Sequence, residues 1–400
     1  MNMDWKVALS DITLGPEERT AVNRVMESGW ISMGPEIEQF EYEFADYLRV
    51  DFAVAVSSGT TALHLALAAA EIGAGDEVIL PSLTFVATAN AVIYQGAVPV
   101  FADVGDLSDW NLSLASIEKK LSSKTRAIIA VHYGGFPCMM DQLRELAATY
   151  NLKIIEDAAH APGAVYQDRK LGTWGDVGCF SFFSNKNMTT AEGGMVVTDN
   201  PEIARRVRLL RSHGMTTLTW DRHKGHSFSY DVVETGFNYR MDEIRAAIGR
   251  VQLAKLEENN EKRKWITRKM RQLISDIDGV FVPFSDNLIE SSSCHIFPIF
   301  LEDKDIRPLV MASMRNSGIQ TSIHYPPVHR FSVFSSSDRA PRKDLRFTEL
   351  IAEREITLPL FPGMTDYQME LVIEKLKLSL SAARRSMDQY TSAMLTPSGA

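Results

Sequence analysis

"GCFSFFSNKNMTTAEGGMVVT" occupies residues 178–198, two apolar runs around a small, polar loop that holds one lysine, Lys186. The runs GCFSFF and GMVVT are short and apolar on both faces, so they read as buried strands. Runs of the same kind recur toward the N-terminus: FAVAV (52–56), EVIL (77–80), VPVFAD (98–103), RAIIAVHY (126–133) and LKIIED (152–157). Between them Ile37, Phe40, Phe44 and Leu48 repeat at helical spacing, as do Leu143, Leu146 and Ala147. Gly59-Thr60-Thr61 opens one such helix, and Asp141 is expected to cap another. Strand and helix alternating this often predict an α/β fold with a mostly parallel mixed sheet covered on both faces.

The texture changes near residue 240. Residues 241–273 form one long helical pattern with a charged outer face, followed by fewer strands (VFVPF, HIFPIF, IQTSI) and helices starting near Asp305 and Thr365. The expected division is a large α/β domain over 1–250 with an N-terminal arm, a smaller α+β domain over 251–387, and a flexible tail over 388–400. Of the 400 residues 45% are apolar and 23% charged, values that support a sizeable core. A net charge of −9 argues against a nucleic-acid groove. No run of about eighteen apolar residues offers a membrane span. The opening MNMDWKVALSDITL lacks a sustained apolar stretch, so no signal peptide is expected and the chain reads as cytoplasmic. Cys138, Cys179 and Cys294 are far apart with no CxxC, which suits reduced thiols and no zinc site. His324 and His329 lie five apart without a third ligand at recognisable spacing, so a metal is not expected.

Four segments carry candidate chemistry. A lone lysine is ordinarily solvated, but Lys186 follows a strand end, where open α/β sheets place ligands. There a desolvated amine can attack a carbonyl to form a Schiff base. Asp157 ends the strand of IIEDAAHAPGA (154–164); it is either a cap or the acid that keeps a pyridine nitrogen protonated. His160 could bond such a ring's phenolic oxygen, or be a satisfied polar residue at a helix start. In VSSGTTALHLAL (56–67) a strand turns into a helix at Gly59 and Thr60, a cradle suited to a phosphate, with a plain strand-to-helix turn as the alternative. Phe85 of PSLTFVATANA (81–91) could stack on a planar ring or pack in the core. Together these supply an amine, an acid, an anion cradle and an aromatic face, a set that fits pyridoxal 5'-phosphate.

At this point the chain resembles the DegT/DnrJ/EryC1/StrS sugar aminotransferases of fold type I. The motifs that carry the likeness include SGWISMGPEIEQFE, SSGTTALHLAL, GDEVILPSLTFVATANA, IIEDAAHAPGA, GDVGCFSFFSNKNMTTAEGGMVVT, GFNYRMDEIRAAIGRVQL, HYPPVH and LPLFPGMT, in family order from about Ile12 to Leu380. The resemblance implies a Schiff-base lysine at Lys186 and a ring-nitrogen partner at Asp157. It implies phosphate contacts at Gly59, Thr60 and Ser181, with Asn238 reaching across from a second subunit of a homodimer, and Phe85 stacked on the ring. It further implies substrate contacts from Trp30, Ser32 and Gly34, from Arg240 of the partner, and from Tyr325 and His329. Two positions depart from the family. His160 stands where glutamine is commoner and adds a group that titrates near neutrality; Ala191 replaces a glycine and is expected to stiffen its turn.

The implied activity moves an amino group from an amino acid, glutamate by family habit, to a keto group of a nucleotide-linked ketosugar. Other readings of the same parts are amination of a non-nucleotide cyclic ketone of cyclitol or aminoshikimate type, dehydration, and a regulatory protein that binds the cofactor without turnover. The His- and Arg-rich stretch 210–231 is either a diphosphate contact or a polar surface loop.

Overall fold

The computed structural model describes residues 5–217, 229–335 and 345–395; most of the 210–231 stretch, residues 218–228, lies outside them. In chain order the large unit comprises α1 (Pro16–Ser28), α2 (Pro35–Leu48), β1 (Phe52–Val56), α3 (Gly59–Ala69), β2 (Glu77–Pro81), α4 (Val86–Tyr94), β3 (Val98–Ala102) and α5 (Leu114–Glu118). It continues with β4 (Thr125–Val131), α6 (Met140–Tyr150), β5 (Lys153–Asp157), the hairpin β6 (Val165–Tyr166) and β7 (Arg169–Lys170), β8 (Val177–Ser181), β9 (Gly194–Thr198) and α7 (Pro201–Leu210). Seven strands form one sheet in the order β1-β9-β8-β5-β4-β2-β3. Only β9 runs against its neighbours. The expected strands therefore stand as read.

Both sheet faces are covered, and each strand shows why its sequence is apolar throughout. On β1, Ala53 and Ala55 join the core under α2 and α6, while Val54 and Val56 join the core under α3, α4 and α7. Side chains alternate across the sheet, so a strand buried on both sides needs apolar residues at every position. The helical stripe Ile37, Phe40, Phe44 and Leu48 lies wholly inside. Asp141 differs from expectation: the N-cap of α6 is Met139 and Asp141 sits in the first turn, its carboxylate accepting from the Tyr166 hydroxyl at 2.7 Å. Ala191 also differs. Its φ of 66° is left-handed, so the methyl group that replaces glycine costs roughly 1–2 kcal/mol of backbone strain there.

The long helix α8 (Glu243–Ile274), capped by Asp242, joins the two units. Its Leu253 and Leu256 pack in the large core, and Ile266, Met270 and Ile274 in a second core, so the division expected near residue 250 falls inside one helix. Beyond it lie β10 (Val280–Phe281), β11 (Phe297–Leu301), α9 (Arg307–Asn316), α10 (Ser332–Ser335), α11 (Arg346–Arg354), β12 (Glu355–Leu358) and α12 (Asp366–Leu395). Strands β10, β11 and β12 make an antiparallel sheet. IQTSI is no strand; it contributes single bridges at Ile319 and Ser322, and the third strand is β12 instead. Two further differences concern the ends. Val7 bridges to Ile319 and joins the second core, and α12 remains helical to Leu395, through much of the expected tail. Among the described residues no helix is long and apolar enough to cross a membrane, and all three cysteines are buried free thiols.

Candidate active site

A cavity of about 370 Å³ opens at the carboxyl ends of β1, β2, β4, β5 and β8. Open α/β sheets bind ligands at such ends because strand termini and helix N-termini converge there. Gly59, Thr60, Phe85, Asp157, His160, Ser181, Lys186 and Tyr325 all line it. Chain folding thus gathers residues that span most of the sequence.

The anion cradle is built first. Ser58 caps α3, and its hydroxyl accepts from Thr61 N–H at 3.2 Å. The helix start faces Ser181, and a Cβ at Gly59 would fall 2.7 Å from the Ser181 Cβ. Only glycine lets the backbone approach that closely, which leaves N–H groups and a serine hydroxyl around one spot.

Lys186 is half-buried in the cavity wall, and desolvation lowers its amine from 10.5 to about 8 while the charge of Asp157 opposes the fall. Its backbone is fixed from the next residue. Asn187 Nδ2 donates to Asn260 Oδ1 at 2.8 Å and to the Ser293 carbonyl at 2.7 Å, and its Oδ1 pairs with His295 Nδ1 at 2.9 Å. Every polar atom of that amide is used, so the lysine stands on a rigid support.

Asp157 accepts from the Thr88 hydroxyl at 2.8 Å and from Ala159 N–H at 3.3 Å. Burial raises its carboxyl above the usual range, against those bonds and the charges of Lys186 and His132. A cation in the cavity, such as a protonated ring nitrogen, would favour the ionised form. Phe85 is 56% exposed at the cavity rim, its ring 5.8 Å from that of Tyr325; it is not a core residue.

His160 departs from expectation. Its Nδ1 accepts from Gly134 N–H at 3.3 Å, so Nε2 carries the proton and donates to the Tyr325 hydroxyl at 2.9 Å. Burial, then the charges of Lys186 and His324, hold the imidazole well below 6.5. It stays neutral near pH 7, no helix starts at it, and the phenolic O–H of Tyr325 is left to point into the cavity.

The remaining expected residues are elsewhere. His329 is 2% exposed and lies outside the cavity wall, Nδ1 at 2.7 Å from Ser82 Oγ and Nε2 at 2.5 Å from Glu349. Trp30, Ser32, Gly34, Asn238 and Arg240 do not line the cavity of their own chain. They gather around the start of α8: Glu243 N–H donates to the Ile31 carbonyl at 3.2 Å, and Asn238 bridges to Ser212, whose hydroxyl lies 3.9 Å from Met33 Sδ. Sequence reasoning missed Thr88, Asn185 and His324 in the wall. Asn185 was visible as the neighbour of Lys186; its Oδ1 is buried with no hydrogen-bond partner among the described residues, an acceptor suited to a ligand's N–H or O–H.

The cavity has the donor set an aromatic aldehyde phosphate requires: a desolvated amine, a buried acid, an N–H cradle and an exposed aromatic face. Sheet order and this site together define a transferase of fold type I. The chain belongs to the DegT/DnrJ/EryC1/StrS aminotransferase family, whose sequence profile matches residues 13–377. It is 36% identical over 369 residues to the spore coat polysaccharide biosynthesis protein SpsC of Bacillus subtilis, covering 91% of this chain and 94% of that protein. The aminotransferase TlmJ of Streptoalloteichus hindustanus superposes with a TM-score of 0.86 at 33% identity, covering 94% of this chain and 99% of TlmJ. The PLP form of Spr1654 of Streptococcus pneumoniae superposes with a TM-score of 0.85 at 27% identity, covering 94% of this chain and 98% of that one.

Proposed function

We propose that this aminotransferase is pyridoxal-phosphate-dependent and moves the amino group of an amino acid, glutamate, to the keto group of a nucleotide-linked ketosugar in the cytoplasm. The observation that carries the reading is a desolvated Lys186 beside a buried Asp157, opposite a glycine cradle at a helix N-terminus. Lys186 would hold the cofactor's aldehyde, with Gly59, Thr60 and Ser181 around its phosphate, Asp157 at its ring nitrogen and Phe85 against its face. Bound there, the cofactor supplies an electron sink for the carbanion formed when an amino acid loses its α-proton.

The chain's own groups do the rest. The Lys186 amine, poised near pH 8, is suited to take and return that proton. Tyr325, oriented by His160, presents a hydroxyl donor to the cavity. Asn238 and Arg240 sit away from the cavity of their own chain and would complete that of a partner subunit in a homodimer. Support for the sugar acceptor comes from the relatives alone.

The test is covalent. Borohydride treatment of the purified protein should place a reduced pyridoxyl tag on Lys186, within the peptide 182–194, and Lys186→Ala should lose both tag and turnover. Transamination retained by Lys186→Ala would end the reading.

A further inference from the structure

Strand β12 places a buried carboxylate behind the cavity wall. Glu355 is 1% exposed and its carboxylate makes no ion pair among the described residues; Arg307 reaches only its backbone carbonyl, at 3.5 Å. Oε2 accepts from the backbone N–H of His324 at 2.9 Å, and Oε1 accepts from the Thr357 hydroxyl. Because Thr357 spends its proton on Glu355, its oxygen must accept from His324 Nδ1, which lies 2.8 Å away. While Glu355 is ionised the imidazole Nε2 is then bare, on a residue that lines the cavity with Lys186.

We infer that Glu355 and Thr357 are positioning residues that make His324 a proton acceptor for the cavity, with Glu355 as the final proton store. The inference rests on the aminotransferase reading, in which an amino donor arrives as an ammonium ion and must shed a proton before its nitrogen reacts. That proton enters at His324 Nε2, the Nδ1 proton passes to Thr357 Oγ1, and the Thr357 hydroxyl proton passes to Glu355. Three hops leave His324 neutral with its tautomer reversed, Thr357 restored and Glu355 protonated. No charge remains on the ring.

The energetics favour this route over a simple imidazolium. Burial, aided by the charge of Lys186, pushes His324 down to about 4. Burial pushes Glu355 up to about 8, against the bonds from Thr357 and His324 and the charge of Arg307. A proton from the cavity is therefore held far better on the carboxyl than on the ring. The other groups facing the chain leave this order intact: Tyr133 donates to the His324 carbonyl, Tyr325 is held protonated by burial, and His160 and His295 are held neutral by burial.

The test reads the tautomer without substrate. In the full-length protein with ¹⁵N-labelled histidine, assigned through His324→Gln, the ring should carry its proton on Nδ1 at about pH 9 and on Nε2 at about pH 7, as Glu355 gains its proton. Thr357→Val, which keeps the shape and removes the hydroxyl, should freeze the tautomer across that range; Thr357→Ser should restore the reversal. In the amino-donor half-reaction Thr357→Val should lower the rate constant by about tenfold or more, in line with loss of one acid–base group, with Thr357→Ser close to wild type. A wild-type tautomer unmoved from about pH 6 to pH 10, or a reversal that persists in Thr357→Val, overturns the inference. A protein with the reversal but no transamination refutes the functional reading and leaves the relay standing.

Discussion

Lys186 makes the sharpest prediction at the level of a single residue. Its amine is charged below about pH 8, and only the neutral form attacks an aldehyde, so capture of pyridoxal phosphate by cofactor-free protein should quicken about tenfold per pH unit up to that point and then level. A rate still climbing tenfold per unit beyond pH 9 would put the amine back at its ordinary value. The place of this lysine in the cavity was legible because a strand end announced it, as was that of Asp157. His160 was half legible: the sequence grouped it with the candidate site, but only the fold shows Gly134 and Tyr325 using both ring nitrogens. His324 and Asn187 could not be read. Their partners, Thr357 and Glu355 for one and Asn260, Ser293 and His295 for the other, lie far along the chain, and local pattern carries no information about such pairings.

Among the elements, α2 shows how a stripe of side chains becomes packing energy. Phe44 is fully buried, its ring 6.0 Å from Phe40, 5.1 Å from Phe180 and 5.5 Å from Phe182, each inclined toward an edge-to-face contact. Phe180 and Phe182 belong to the segment that leads into the Lys186 loop, so this cluster ties α2 to the site. Phe44→Ala should cost about 3–5 kcal/mol in urea unfolding, the range for an emptied aromatic site; a loss under about 1 kcal/mol would mean that the cluster collapses to fill the gap. Strands buried on both faces were easy to read, since continuous apolar runs leave little ambiguity. Strand β12 was not. Its Ile356 and Leu358 enter the small-unit core, yet Glu355 and Thr357 on the opposite face are also buried, each 1% exposed. A polar inward face looks like a solvent face in sequence, and the polarity here serves His324.

For the whole molecule the residues divide in two. One set surrounds Lys186; the other, including Trp30, Asn238 and Arg240, gathers at the start of α8 with Ile31, which is 53% accessible, and Val232 and Val233, a few residues before Asn238 along the chain, are 53% and 56% accessible. Apolar side chains left open together mark a surface for association, and a two-fold partner would bring the second set of one copy to the cavity of the other. Two individually inactive variants test this. Lys186→Ala lacks the amine, and Arg240→Ala lacks the group that the proposed dimer would contribute across its interface. In a mixed dimer, the cavity with an intact Lys186 receives an intact Arg240 from its companion, and the other cavity loses both. Random exchange of equal amounts makes half the dimers mixed, each with one working site, so about a quarter of wild-type activity should return after unfolding and refolding the two together. Activity that stays at the sum of the separate variants would show that each chain completes its own site, and Arg240 would then need a role within its own subunit.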